Sequence, residues 1–170
     1  MKPVFSIVIV LFFSVTIFAQ DSDLPSVTIR DLDGRPVNFS EIDNEGKPII
    51  LSFWATWCTP CHREMNAIAE VYEEWQQETG VKYVAVSVDD SRSSSRVLPM
   101  INSNYWDYDF YLDPNHELKR AMNVNMIPHT FLLNGDNEVV WQHTSYSEGI
   151  EDEIIQLLRK LNAGEDISEE

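Results

Sequence analysis

The chain of 170 residues contains two cysteines, Cys58 and Cys61, separated by Thr59 and Pro60. A mostly apolar run leads into this C-x-x-C motif, and an amphipathic helix is predicted to leave it. A cysteine at a helix N-terminus ionises readily, because unpaired backbone N–H groups and the helix dipole favour negative charge there. Cys58 is therefore the predicted nucleophile. Cys61 is close enough to attack a mixed disulfide formed at Cys58 and to release the substrate by thiol exchange.

A plain stabilising crosslink is the simplest alternative for the two cysteines. In the chain-entropy model, closing so short a loop contributes only roughly 2 kcal/mol, and the tight ring adds strain. Pro60 suits a first helical turn, where its missing N–H costs nothing. The context therefore favours a redox-active dithiol over a structural disulfide.

Two further chemistries share these residues. Cys58 to His62 reads C-x-x-C-H, the pattern for covalent attachment of a c-type haem, with a methionine as a sixth ligand (Met65, Met100, Met122 or Met126). The two thiolates together with His129 would instead suit Cu(I) or Zn, as in a soft-metal chaperone. Both alternatives remain open on spacing alone.

The first 19 residues resemble a secretory signal peptide. Lys2 precedes an apolar run from Val4 to Phe18, and Ala19 stands before a polar segment. The prediction is a signal peptide over residues 1–19, with an uncleaved anchor as the alternative, and one domain over residues 20–170. Export would place the dithiol in the periplasm or cell envelope, where disulfides persist.

The formal net charge of −16 argues against nucleic acid as a partner, since like charge opposes binding to a phosphate backbone. The same charge opposes anionic membrane surfaces and mainly supports solubility. The C-terminal stretch, residues 163–170, is acidic and poor in apolar residues, so a flexible tail is predicted there.

Apolar patterning predicts alternating strands and helices. A leading hairpin is expected around Asp33-Gly34, and a central strand buried on both faces over Ile49 to Trp54. One helix should run from the dithiol to Gly80, followed by a strand over Val81 to Val88. The remaining predicted elements are a helix over 97–102, a strand over 109–112, a helix from Asp113-Pro114 to Met122, a hairpin around Asn134-Gly135 and a closing helix over 149–161. This order predicts an α/β fold with parallel strands.

The chain resembles the secreted thioredoxin-fold oxidoreductases of the TlpA/ResA type, within the wider redoxin (AhpC/TSA) group. The matching motifs follow the family's order: Asp33-Gly34, Gly46-Lys47-Pro48, Phe53 to Cys61, Glu64, Ile127-Pro128 and Asn134-Gly135. The resemblance implies a thioredoxin-like fold, a central mixed β-sheet flanked by helices, with an N-terminal β-hairpin and a β-α insertion.

The resemblance also implies a substrate-binding surface. In the family, the proline at the position of Pro128 is cis and faces the dithiol. The backbone of Ile127 could then pair with an extended substrate segment, while Trp57, Thr59 and Pro60 offer contacts beside the nucleophile. Ordinary packing for Trp57 and a trans loop proline for Pro128 are the alternatives.

Glu64 is the predicted acid–base residue. Thioredoxins proper carry a buried Asp where this chain has Ser52, so another acid must serve. Glu64 follows Cys61 by three residues, which places both on one helix face, and the family has its functional glutamate there. Burial would favour the protonated carboxyl and let it accept a proton from Cys61. An exposed glutamate that merely suits the helix dipole is the alternative.

The predicted activity is reduction of disulfides in protein substrates, with apocytochrome c among the candidates implied by the resemblance. No histidine stands between the cysteines to stabilise the reduced form, which favours a reductant over a strong oxidant. A membrane thiol donor would re-reduce the pair. No cofactor and no resident metal site are predicted, and a monomer is expected.

Overall fold

The computed structural model describes residues 24–165 and residue 167. The predicted signal peptide, residues 1–19, lies outside these residues. Within them the elements are β1 (Thr28–Arg30), β2 (Pro36–Asn38), β3 (Ile49–Trp54), α1 (Thr59–Ala69), α2 (Tyr72–Thr79), β4 (Lys82–Ser87), α3 (Val97–Asn104), β5 (Asp109–Leu112), α4 (Glu117–Ala121), β6 (His129–Leu133), β7 (Val139–Thr144) and α5 (Ile150–Asn162). No helix in the described part of the chain is both long enough and apolar enough to cross a membrane.

The strands of the described residues form one mixed sheet in the order β2-β1-β5-β4-β3-β6-β7. Strand β3 pairs in parallel with β4 and antiparallel with β6, and all six of its residues are buried. A strand covered on both faces reads as a nearly continuous apolar run, which explains why the sequence revealed it. The predicted leading hairpin is β1 with β2, and the second hairpin is β6 with β7. The predicted α/β thioredoxin-like class is confirmed.

Two helix predictions need correction. The helix after the dithiol is interrupted: α1 ends at Ala69, Val71 has φ −120° and ψ −5°, and α2 begins at Tyr72. Buried positions continue at helical spacing across this break, so apolar periodicity could not reveal it. The helix predicted from Asp113 begins only at Glu117, because the buried Asp113 carboxylate accepts the N–H groups of Glu117 and Lys119 across the intervening turn.

Two glycine motifs meet at the end of the sheet away from the dithiol. A Cβ on Gly135 would lie 2.2 Å from the carbonyl oxygen of Gly46, so the two backbones approach as only glycine permits. This contact brings the Gly46-Lys47-Pro48 and Asn134-Gly135 motifs together in the fold. Nearby, Ile167 is buried although it lies in the predicted tail.

Candidate dithiol active site

Cys58 and Cys61 form a disulfide at the start of α1, with their Cα atoms 5.3 Å apart. Cys58 is the N-cap residue of α1, and its Sγ accepts a hydrogen bond from the Cys61 backbone N–H at 3.3 Å. That N–H and the helix dipole would favour a thiolate on Cys58 once the pair is reduced. Both cysteines are nearly buried, while Thr59 and Pro60 between them are exposed.

The surface beside the dithiol combines an exposed aromatic side chain with the segment before β6. Trp57 is 64% exposed, whereas Trp54, three residues earlier, is fully buried. The Ile127–Pro128 peptide bond is cis, as the resemblance implied. Because Phe53 pairs with His129, Pro128 lies beside the end of β3 that leads into the motif. Trp57 and Ile127 line one groove of about 300 Å³, so the two segments share a surface.

Glu64 is buried completely under α1. Its Oε1 accepts a hydrogen bond from the Thr130 hydroxyl at 2.5 Å. Its Oε2 lies 3.3 Å from Nε2 of His143, without the alignment of a hydrogen bond, and neither atom has another hydrogen-bond partner among the described residues. The alternative of an exposed glutamate is therefore wrong.

A short chain of hydroxyl groups supports the Glu64 carboxyl. The Thr130 hydroxyl also lies 3.0 Å from Oγ of Ser52, and both side chains are buried. Each hydroxyl carries one proton and rotates to suit its neighbours. Thr130 can donate to an ionised Glu64 and accept from Ser52, or it can accept from a protonated Glu64 and donate to Ser52. Both protonation states of Glu64 are thus satisfied on the Oε1 side.

Glu64 also acts on the aromatic side chains below α1. Burial, then the negative charge of Glu64, raise the pKa of Tyr83 well above its ordinary value. Burial likewise raises the pKa of Tyr108, whose hydroxyl donates to the carbonyl oxygen of Met65 in α1. Both tyrosines stay neutral, so they add no charge near the Glu64 carboxyl.

Asp89, just after β4, is a second buried carboxylate near the motif. Its Oδ2 accepts the backbone N–H of Thr56 at 2.7 Å and the hydroxyl of Ser87 at 2.9 Å, while its Oδ1 accepts the Thr56 hydroxyl at 2.6 Å. These bonds anchor the turn that precedes the dithiol. Sequence reasoning missed both Asp89 and His143, because their roles depend on which strands lie side by side.

The histidines near the motif have protein partners. Nε2 of His62 lies 3.1 Å from the carbonyl oxygen of Ala55, and its ring packs against Trp54 and Trp106. Nε2 of His129 lies 3.0 Å from Oε1 of Gln142, and burial lowers the pKa of His129. No group of three or more His, Cys, Asp or Glu side chains converges as metal ligands within residues 24–165 and 167. The haem and metal alternatives therefore gain no support from the placement of these side chains.

The C-x-x-C pair lies at the start of the helix that follows the central strand, and a cis-proline lies beside the end of that strand. Together with the thioredoxin-like sheet, this arrangement defines a thioredoxin-like redox protein. The AhpC/TSA family model matches residues 21–142, and the chain belongs to the AhpC/TSA family. The predicted family is thereby confirmed.

Named relatives point in the same direction. The chain is 33% identical over 128 residues to the thiol-disulfide oxidoreductase ResA of Geobacillus kaustophilus, covering 75% of this chain and 71% of that protein. It is 32% identical over 122 residues to ResA of Bacillus subtilis, covering 72% of this chain. That match spans 65% of the relative, less than two thirds of its length.

Solved structures share the fold. A thioredoxin-like protein from Porphyromonas gingivalis is 44% identical, with a TM-score of 0.75, and the match covers 84% of this chain and 93% of that one. A putative thiol:disulfide interchange protein DsbE from Chlorobium tepidum has a TM-score of 0.71 at 20% identity, covering 83% and 96% of the two chains, and supports the fold alone.

Proposed function

We propose that the protein is a thiol-disulfide oxidoreductase that reduces disulfides in protein substrates through Cys58 and Cys61. The observation that carries the proposal is the position of Cys58 at the start of α1, where the Cys61 N–H points at its sulfur. The relatives named thiol-disulfide oxidoreductase support this class of activity.

The reaction begins with the reduced dithiol. The Cys58 thiolate attacks one sulfur of a substrate disulfide, which forms a mixed disulfide and releases the other substrate sulfur as a thiolate. Cys61 then loses its proton and attacks Cys58, which restores the Cys58–Cys61 disulfide and releases the second substrate thiolate. Two electrons pass to the substrate, and a thiol donor in the membrane must return them before the next cycle.

Glu64 serves as the proton acceptor for Cys61 in this scheme. Both residues lie on the buried face of α1, three positions apart, and the hydroxyl chain through Thr130 accommodates the carboxyl in either protonation state. A buried carboxyl that can change its charge without losing its hydrogen bond is suited to general acid–base work.

Trp57, Thr59, Pro60, Ile127 and Pro128 form the proposed substrate-binding surface. Trp57 is exposed next to Cys58 and lines one groove with Ile127, and an extended substrate segment could pair with the backbone at Ile127. Because this surface lies beside Cys58, a substrate bound to it would have its cysteine close to the nucleophile.

We place the protein in the periplasm or cell envelope on the strength of the predicted signal peptide. Apocytochrome c is a candidate substrate, and monomeric action with a membrane thiol donor completes the scheme. The acidic surface gives no support to a nucleic-acid partner.

The equilibrium reduction potential of the Cys58/Cys61 pair is the first test. Titration in dithiothreitol or glutathione buffers with thiol trapping should give one two-electron transition near about −270 mV, the range of reductants. A transition near about −120 mV would indicate an oxidant instead. Failure to observe any two-electron transition would reject the redox proposal.

A trapping experiment tests whether proteins are the substrates. C61S lacks the resolving thiol and should accumulate mixed disulfides with envelope proteins on Cys58, visible on non-reducing gels. C58S is the matched control, since it keeps one thiol but lacks the proposed nucleophile. Equal trapping by both variants would contradict the assigned order of attack.

A further inference from the structure

His143 is a partly exposed group that lies 3.3 Å from the buried Glu64 carboxyl. Strand pairing aligns Ser52, Thr130 and His143 across β3, β6 and β7, so their side chains face α1 in one row. Glu64 projects onto this row from α1. It contacts the Thr130 hydroxyl through Oε1 and the His143 imidazole through Oε2.

The two sides of the carboxyl differ in where they lead. On the Oε1 side, Thr130 and Ser52 are 0% and 1% exposed, so the hydroxyl chain ends in the interior. On the Oε2 side, the His143 side chain is 13% exposed and belongs to β7, the last strand of the described sheet. A proton that leaves Glu64 through its described contacts therefore reaches water through His143.

We propose that His143 carries protons between Glu64 and solvent during disulfide exchange, an inference that rests on the proton role proposed for Glu64. When Cys61 gives its proton to Glu64, the Cys61 thiolate forms the bond to Cys58 and the substrate leaves as a thiolate. The proton on Glu64 passes to Nε2 of His143, and the imidazole releases a proton to water. An imidazole suits this task because it exchanges protons near neutral pH.

Other titratable groups lie near this pair on the neighbouring elements. Tyr83 on β4, Tyr108 before β5 and Tyr146 after β7 all have pKa values raised by burial. Burial, and to a smaller extent the charge of His143, lower the pKa of His129 on β6. Arg63, beside Glu64 on α1, is exposed. Between roughly pH 6 and 9 the tyrosines are neutral, so they add no charge change to a pH profile measured there.

The test separates the two thiol steps with 5,5′-dithiobis(2-nitrobenzoate). Added in excess to the reduced protein, it should release one thionitrobenzoate when Cys58 attacks and a second when Cys61 resolves the mixed disulfide. Stopped-flow absorbance over this pH range should show H143Q slowing the second release on the order of tenfold and changing its pH profile. The first release should keep its native rate.

H129Q is the matched control. His129 neighbours Thr130 on β6 and therefore points to the opposite face of the sheet from His143. In H129Q, the rate of the second thionitrobenzoate release should keep the native pH profile. H143N provides a second substitution if H143Q does not fold, with folding of every variant checked by thermal unfolding.

The outcomes distinguish the inference from the function on which it rests. A native pH profile in H143Q or H143N, beside an altered profile in E64Q, overturns the role of His143 alone and leaves it a structural partner of Glu64. A native profile in E64Q removes the proton role of Glu64, and the inference for His143 with it. Reduction by Cys58 and Cys61 would stand in either case.

Discussion

Asp89 and Glu64 are both buried carboxyls close to the dithiol, yet their surroundings differ. Asp89 accepts three hydrogen bonds, which use both of its oxygens. Glu64 accepts one aligned hydrogen bond and leaves Oε2 facing an imidazole. Several donors hold a carboxylate in one position, whereas a hydroxyl or an imidazole beside a carboxyl can exchange a proton with it. The difference supports an anchoring role for Asp89, in contrast to the proton role proposed for Glu64.

Matched amide substitutions give the sharpest contrast, and D89N should have the largest effect. The amide of Asn offers one acceptor and must turn its NH₂ group toward a donor of Thr56 or Ser87, which leaves buried groups unpaired. We expect the free energy of unfolding, measured with urea, to fall by about 3 kcal/mol. A loss below about 1 kcal/mol would contradict the anchoring role.

E64Q should show the opposite pattern. The amide keeps the shape and the Thr130 contact but cannot take up a proton, so release of substrate by Cys61 should slow about 100-fold. The free energy of unfolding should change by less than about 1 kcal/mol. Stopped-flow detection of the second thionitrobenzoate release measures the rate. If D89N slowed this step as much as E64Q while remaining folded, the comparison would fail.

T130V should have a smaller and mixed effect. Valine keeps the shape of threonine but removes the donor to Glu64 Oε1, so the free energy of unfolding should fall by about 1.5 kcal/mol. The second thionitrobenzoate release should also slow severalfold, because the hydroxyl chain from Glu64 through Thr130 to Ser52 is lost. Combining T130V with E64Q tests whether both substitutions act on one network. Additive effects on this rate would indicate separate networks.

T56V should have the smallest effect of the four. Asp89 loses one hydroxyl donor but retains the Thr56 backbone N–H and the Ser87 hydroxyl, so unfolding by urea should show a loss of about 1 kcal/mol. The second release should keep its native rate. T28V, at an exposed position on β1, is the matched control for the change from threonine to valine. A slowed release in T56V would mean that the Asp89 network also takes part in the chemistry.

Local sequence patterns were sufficient for much of the fold. Apolar alternation and turn residues identified the two hairpins, and a nearly continuous apolar run identified the buried central strand, because these patterns report burial directly. The break at Val71 went unseen, because buried side chains keep helical spacing on both sides of it. The late start of α4 also went unseen, because it depends on a side-chain cap formed by Asp113.

The sequence by itself determined the dithiol and the helix face that Cys61 shares with Glu64, because each depends on spacing within one segment. The resemblance to the family added the cis-proline, Pro128, beside the dithiol. Only the tertiary structure decided what surrounds that face. Thr130 and His143 reach Glu64 from β6 and β7 through strand register, and Asp89 reaches Thr56 from the end of β4. Such partners are separated by 33 or more positions in the chain, so no local pattern records them, and packing of the helix against the sheet brings them together.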